Sequence, residues 1–214
     1  MNTRKMVLTA ALGLGILGTA NAQLQLSASG SYLKGTGDNK SSLWGGGITG
    51  KVFLGNSIAL GGSLHSYPKQ NNKVTGSGTG GNWTYTSADL VTNVAAALDV
   101  LLLPKTSMVQ PYIGTDAGVS FNNQTVTYTD NSQQIVSNKN NKSFFLLSPK
   151  AGVNIGLGQA FGIFGQAQYN FAFGSGDPKS ISIGNVPNPI TTEPVSKYFT
   201  FDAGIYVRLI GAGK

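Results

Sequence analysis

Cysteine is absent from this chain of 214 residues, which excludes thiol catalysis, cysteine-based metal sites and disulfide staples. Histidine occurs once, at His65, and glutamate once, at Glu193. A hydrolytic triad needs a histidine held by an acid beside a serine. Ser66 adjoins His65, but neighbours on a strand point to opposite faces. A single histidine is also poor material for a transition-metal site. No catalytic, metal or cofactor site is therefore expected, and His65 is read as an interior or rim residue.

Charge is scarce too. Charged residues make up 11% of the chain, whereas about a quarter is usual in a soluble domain. The balance is basic, at +7, and losing Arg4 and Lys5 from the N-terminus leaves +5. That excess lies in scattered lysines, and Arg208 is the one arginine after residue 22. A nucleic-acid surface would cluster Lys and Arg among stacking aromatics, so no nucleic-acid partner is expected. Long apolar runs are missing apart from Met6 to Gly18, which is well short of the roughly 20 residues a membrane helix needs. Preceded by Arg4 and Lys5 and followed by Ala20-Asn21-Ala22, it reads as a secretory signal over residues 1–22, cleaved before Gln23. Residues 23–214 are expected to form one domain.

What the chain does have is glycine, at 30 residues, and alternation. Eight alternating segments run near Leu24–Lys34, Leu43–Leu54, Ile58–His65, Trp83–Leu103, Gln110–Phe121, Ser143–Leu157, Phe161–Phe173 and Tyr198–Ile210. In the last, Phe199, Phe201, Ala203, Ile205, Val207 and Leu209 share one face, with Tyr198, Thr200, Asp202, Gly204, Tyr206 and Arg208 on the other. Tight connections at 55–57, 104–109 and 158–160 alternate with longer polar ones at 35–42, 66–82, 122–142 and 174–197. Short inner turns, long outer loops and an even number of strands predict an all-β, eight-stranded antiparallel up-and-down transmembrane β-barrel.

The polar faces decide between a barrel in water and one in lipid. Their charges come singly and with opposite signs: Lys51, Asp89, Asp99, Asp116, Lys150, Asp202 and Arg208. So sparse a face suits a narrow interior in which acids and bases pair, because an unpaired buried charge is expensive. Glycines on the same face (Gly45, Gly47, Gly61, Gly114, Gly118 and Gly204) fit the small bore of eight strands. Tyr32, Trp44, Trp83, Tyr85, Phe144, Phe145, Phe161 and Phe199, near segment ends, are expected to form interfacial girdles. Gly76-Ser77-Gly78-Thr79-Gly80-Gly81 matches G-x-G-x-x-G formally, but Trp83-Thr84-Tyr85 follows where a dinucleotide fold needs a helix. It is read as loop. Within 122–142, Thr125, Thr127 and Thr129 alternate with Val126 and Tyr128. A hairpin continuing above the membrane is expected there, with edges open to a partner strand.

In architecture the chain resembles the small outer-membrane β-barrel family of OmpX and the OmpA transmembrane domain. The resemblance is carried by Pro111 to Phe121, Gly162 to Phe173 and Asp202 to Leu209. The last passage looks like the β-signal read by the barrel assembly machinery. Asp202, Gly204 and Leu209 match it, Val207 stands where an aromatic is usual, and Ile210 to Lys214 continue past it. With no peptidoglycan-binding segment read after the barrel, OmpA-style anchoring is not expected.

The resemblance implies Sec-type export, residence in the bacterial outer membrane and contact with its lipids, lipopolysaccharide included. The reading is a non-enzymatic barrel with a structural or surface role: adhesion, envelope integrity or membership of a larger complex, with a protein partner at the outer loops. A small-solute pore or transporter is the main alternative, ahead of a lipid A-modifying enzyme and a soluble lipocalin-like binder.

Overall fold

The computed structural model describes residues 23–36, 42–78, 81–130, 133–174, 179–181, 190–192 and 197–209. The leader expected over 1–22 lies outside them. Ten strands follow in order: β1 (Gln23–Gly35), β2 (Ser42–Leu54), β3 (Ile58–Gly78), β4 (Gly81–Leu101), β5 (Val109–Asp130), β6 (Gln133–Gly156), β7 (Phe161–Phe173), β8 (Lys179–Ile181), β9 (Ile190–Thr192) and β10 (Lys197–Leu209). Eight of them close an antiparallel barrel in the order β1-β10-β7-β6-β5-β4-β3-β2. The seam runs from Leu24↔Leu209 to Gly35↔Tyr198. Among the described residues β8 and β9 pair only with each other, inside the β7–β10 connection. Closure removes the barrel's edges, so its wall can cross lipid with its main-chain groups paired.

Side-chain parity separates two environments. On each barrel strand an apolar residue points outward and is exposed: Leu26, Ile48, Leu64, Val94, Val119, Leu147, Ile163 and Ile205. Ile48 is 60% exposed and Ile205 51%. A soluble protein rarely shows an apolar patch beyond a few hundred Å², and this one encircles the molecule. Lipid, not water, is its solvent.

The three short connections and residues 23 and 209 share one end, the periplasmic end in barrels of this kind. The β2–β3 turn there is tightened by Gly55, whose φ of 71° suits glycine alone at little cost.

Two connections expected as loops are mostly strand. β3 continues to Gly78 and β4 begins at Gly81, and they pair out to Gly78↔Gly81. β5 runs to Asp130 and β6 begins at Gln133, paired out to Asp130↔Gln133. The apolar alternation stops where the strands leave lipid, yet Thr, Tyr and Val carry the pleat onward. The expected hairpin within 122–142 is present. Of the Gly-rich run at 76–81, Gly76 to Gly78 and Gly81 are paired strand at the outer end of the other hairpin.

The girdle assignment needs correction. Phe144 points inward and is buried, because it is out of phase with Phe145. Trp83 and Tyr85 pair near the hairpin tip, about ten residues and roughly 30 Å past Ser66 at strand rise, too far for a membrane interface. Trp44, Phe145, Phe161 and Phe199 do lie exposed on the outer wall. Tyr32 stacks obliquely on Trp44 at 4.7 Å.

Candidate functional site

The interior is built in layers from residues of inward parity. At the periplasmic floor Arg208, near the end of β10, donates from Nε to Gln25 Oε1 at 2.9 Å and from Nη1 to the Lys105 carbonyl at 3.2 Å. Nη2 donates to Gln110 Oε1. Its guanidinium carbon lies 5.0 Å from the Phe53 ring centre and 4.9 Å from that of Tyr206. Gln110 Nε2 in turn donates to the carbonyls of Lys105 and Ser107, so one amide fixes both the β4–β5 turn and the arginine. Phe53, Ala59, Leu101 and Tyr112 pack together as an apolar layer at this end.

The middle layer is ionic. Lys51 Nζ lies 2.5 Å from Asp99 Oδ2, and Lys150 Nζ lies 2.9 Å from Asp99 Oδ1 and 2.5 Å from Asp116 Oδ1. Ser63 Oγ donates to Asp116 Oδ2. A second chain runs from Tyr112 Oη through Gln166 to Asp202 Oδ2, with bonds of 2.7 and 2.8 Å. His65 Nε2 faces the same oxygen at 3.7 Å. Lys51, Lys150, Arg208, Asp99, Asp116 and Asp202 are all buried, three cations against three anions.

Above this, Asn170 accepts from Ser148 and donates to Thr200, while Asn93 and Tyr198 Oη bond across the bore. Ser31 and Tyr67 share a 2.7 Å bond. Leu33, Leu43, Tyr67, Val91, Leu146 and Tyr198 then form an apolar cap toward the outer end.

Four rings lie over glycines of neighbouring strands. A Cβ on Gly47 would overlap the His65 ring, one on Gly45 the Tyr67 ring, one on Gly152 that of Tyr112, and one on Gly162 that of Tyr206. Glycine opposite an aromatic lets the ring lie flat along the wall and fill the bore.

Beyond the rim, β3, β4, β5 and β6 continue as one four-stranded sheet. β2 pairs with β3 only as far as Gly46↔Ser66, and β7 reaches β6 only at Phe145↔Phe173. Past those pairs the outer edges of β3, from Tyr67 to Gly78, and of β6, from Gln133 to Asn141, have no neighbouring strand among the described residues. Register lines such as Lys73↔Thr86↔Thr127↔Ser137 cross the sheet, beside Val74↔Tyr85↔Tyr128↔Val136. Lys73 and Thr75 are exposed, and Thr84, Thr86, Thr127 and Thr129 half-buried, whereas Tyr128 is buried. One face is therefore polar and threonine-rich.

The structure brings Lys51, Asp99, Asp116 and Lys150 into one cluster. Among the described residues it does not bring Arg208 to a carboxylate, as pairing by charge alone had suggested. Ring faces and amide oxygens of the turn end reach it first. Asp89 sits on β4 opposite Gln70 and Gln124, and its side chain lies outside the described residues. Within the assembly-signal passage, Asp202 points inward, Gly204 lies against the Ala28 carbonyl, and Val207 and Leu209 face lipid. Alternation puts Gln166, Gln168, Asn170 and Asn93 on the polar faces but does not give their partners. Gln110 was missed, and its inward parity was the available signal. Among the described residues, no three His, Cys, Asp or Glu side chains group closely enough to hold a metal ion.

No family model and no curated protein matches the sequence. Solved structures do match. Neisserial surface protein A aligns at 13% identity over 89% of this chain and 98% of its own, with a TM-score of 0.52. OprG from Pseudomonas aeruginosa aligns at 14% over 90% and 98%, with a TM-score of 0.53. A major outer membrane protein from Thermus thermophilus aligns at 11% over 89% and 100%, with a TM-score of 0.58. At such identities the likeness is one of fold. With the encircling apolar band, it makes this chain an integral β-barrel of the bacterial outer-membrane type.

Proposed function

We propose that the protein is a non-enzymatic outer-membrane barrel that works through its outer surface, as an adhesin or as the docking subunit of a larger envelope complex. The observation that carries this reading is the four-stranded sheet projecting past the rim, whose two outer edges have no neighbouring strand among the described residues. An open edge presents a row of backbone donors and acceptors, the template used in β-augmentation. Each edge carries lysine, Lys73 on β3 and Lys139 on β6, but Pro68 interrupts the β3 edge. The β6 edge from Gln133 to Asn141 contains no proline, so it is the better docking edge.

The interior supports the same reading. A transport path favours a lumen of one sign and a clear bore, whereas three cations and three anions are neutralised or bonded in place here. Shortening both hairpins, by removing 70–87 and 124–141, tests the proposal on cells carrying the full-length or the trimmed barrel. Adhesion, or co-purification with neighbouring envelope proteins after cross-linking in intact cells, should disappear while heat-modifiable mobility on SDS-PAGE remains. Retention of both activities by the trimmed barrel would overturn it.

A further inference from the structure

From the arrangement around Arg208 we infer that the periplasmic mouth is a binding site for a small oxyanion, a carboxylate or a phosphate. This inference is independent of the outer-surface role. A cavity of about 640 Å³ opens at this end between the β4–β5 and β6–β7 turns, lined among others by Gln23, Lys105, Ser107, Gln110, Gln159 and Arg208. Its charged lining residues are Lys105 and Arg208, with no Asp or Glu among them.

Arg208 is 6% exposed, and among the described residues it has no carboxylate partner. Its three hydrogen bonds there go to two side-chain amides and one carbonyl, all neutral acceptors. A guanidinium carries five N–H donors in a planar fork, so two remain beyond those bonds. The ring faces of Phe53 and Tyr206 offset part of the charge, as cation–π contacts do, but supply no acceptor for these donors. Buried charge is ordinarily met by an opposite charge. An oxyanion seated in the mouth would take the remaining N–H groups as a fork takes a carboxylate or phosphate, with Lys105 adding field and Ser107 a hydroxyl. The opposite preference, for a cation, is disfavoured by both charges of the lining.

The test is calorimetric titration of the refolded full barrel in non-ionic micelles at low ionic strength. The probes are inorganic phosphate, N-acetylalanine and N-acetylalanine amide. Saturable binding of phosphate or N-acetylalanine, and none of the amide, is expected. A phosphate-only response points to phosphorylated ligands, a carboxylate-only response to peptide termini. Arg208→Gln should weaken binding at least tenfold, and Lys105→Gln several-fold. If Arg208→Gln does not refold, Lys105→Glu carries the test, because Lys105 serves the floor only through its carbonyl; it should abolish binding. Heats at dilution level for both anions, equal binding of the amide, or an affinity unchanged in the variants that fold would overturn the inference.

Discussion

At the scale of single residues, the interior is held by pairs whose members lie far apart in sequence. Asp99 bridges Lys51 and Lys150, so removing it takes the carboxylate from the buried Lys51 ammonium and leaves Lys150 with Asp116 alone. Breaking a buried pair from one side costs about 3–5 kcal/mol. Asp99→Ala should therefore lower the urea midpoint of the refolded barrel sharply. Replacing Lys51 and Asp99 together with methionine and leucine should recover much of the loss, and an equal fall in both variants would show that the pair is not the cause. Steric fit makes a parallel demand. At Gly47 a methyl group would overlap the His65 ring, whose atoms are the nearest it would meet, and overpacking of this kind costs about 1–3 kcal/mol. Gly47→Ala should refold poorly, and Gly47→Ala combined with His65→Ala should refold better. Lys51, Asp99, Asp116 and Lys150 were legible as interior residues from parity alone. Their partners were not, because pairing depends on strand register and tilt, which alternation does not encode. That is why Arg208 turns out to meet Gln25 and Gln110 rather than an aspartate.

At the scale of elements, the strands inside lipid were readable, and of those outside it only the hairpin within 122–142 was. Within the membrane one face meets hydrocarbon and the other a packed interior, so period-2 hydrophobicity is strict, as in β10. Past Ser66 and before Phe145 neither face meets lipid. The signal falls to alternating Thr, Tyr and Val at 125–129, with little beyond Val74 to mark 67–78. The edge geometry gives a direct check by amide hydrogen exchange. β4 from Trp83 to Asp89 is paired on both sides, so its amides should be uniformly protected. β6 from Val136 to Asn141 is paired on one side only among the described residues, so protection there should alternate from one residue to the next. Uniform protection along β6 would mean a strand already occupies that edge. Uniformly fast exchange would mean that the hairpin does not persist in solution, and the surface proposal would lose its basis.

At the scale of the whole molecule, the layers inside the barrel act in series. Ions crossing the bore would have to pass the Arg208 floor, the ionic cluster around Asp99, and the apolar cap of Leu33, Leu43, Tyr67, Val91, Leu146 and Tyr198. Barriers in series do not yield to the loss of one. The purified barrel in a planar bilayer should therefore show no steady conductance. Arg208→Ala should leave it closed, as should the double truncation Tyr67→Ala with Tyr198→Ala, provided heat-modifiable mobility shows that each variant has folded. Only a variant that opens floor, cluster and cap together should conduct, with currents that rise with salt. The cluster gives the prediction its edge. Lys51 and Lys150 hold Asp99 from two sides across the bore, so no fixed excess of one sign draws ions in, and desolvating an ion there gains it no partner. Steady current from the unmodified monomer would show that these contacts rearrange under voltage, and the transporter reading would then displace the surface one.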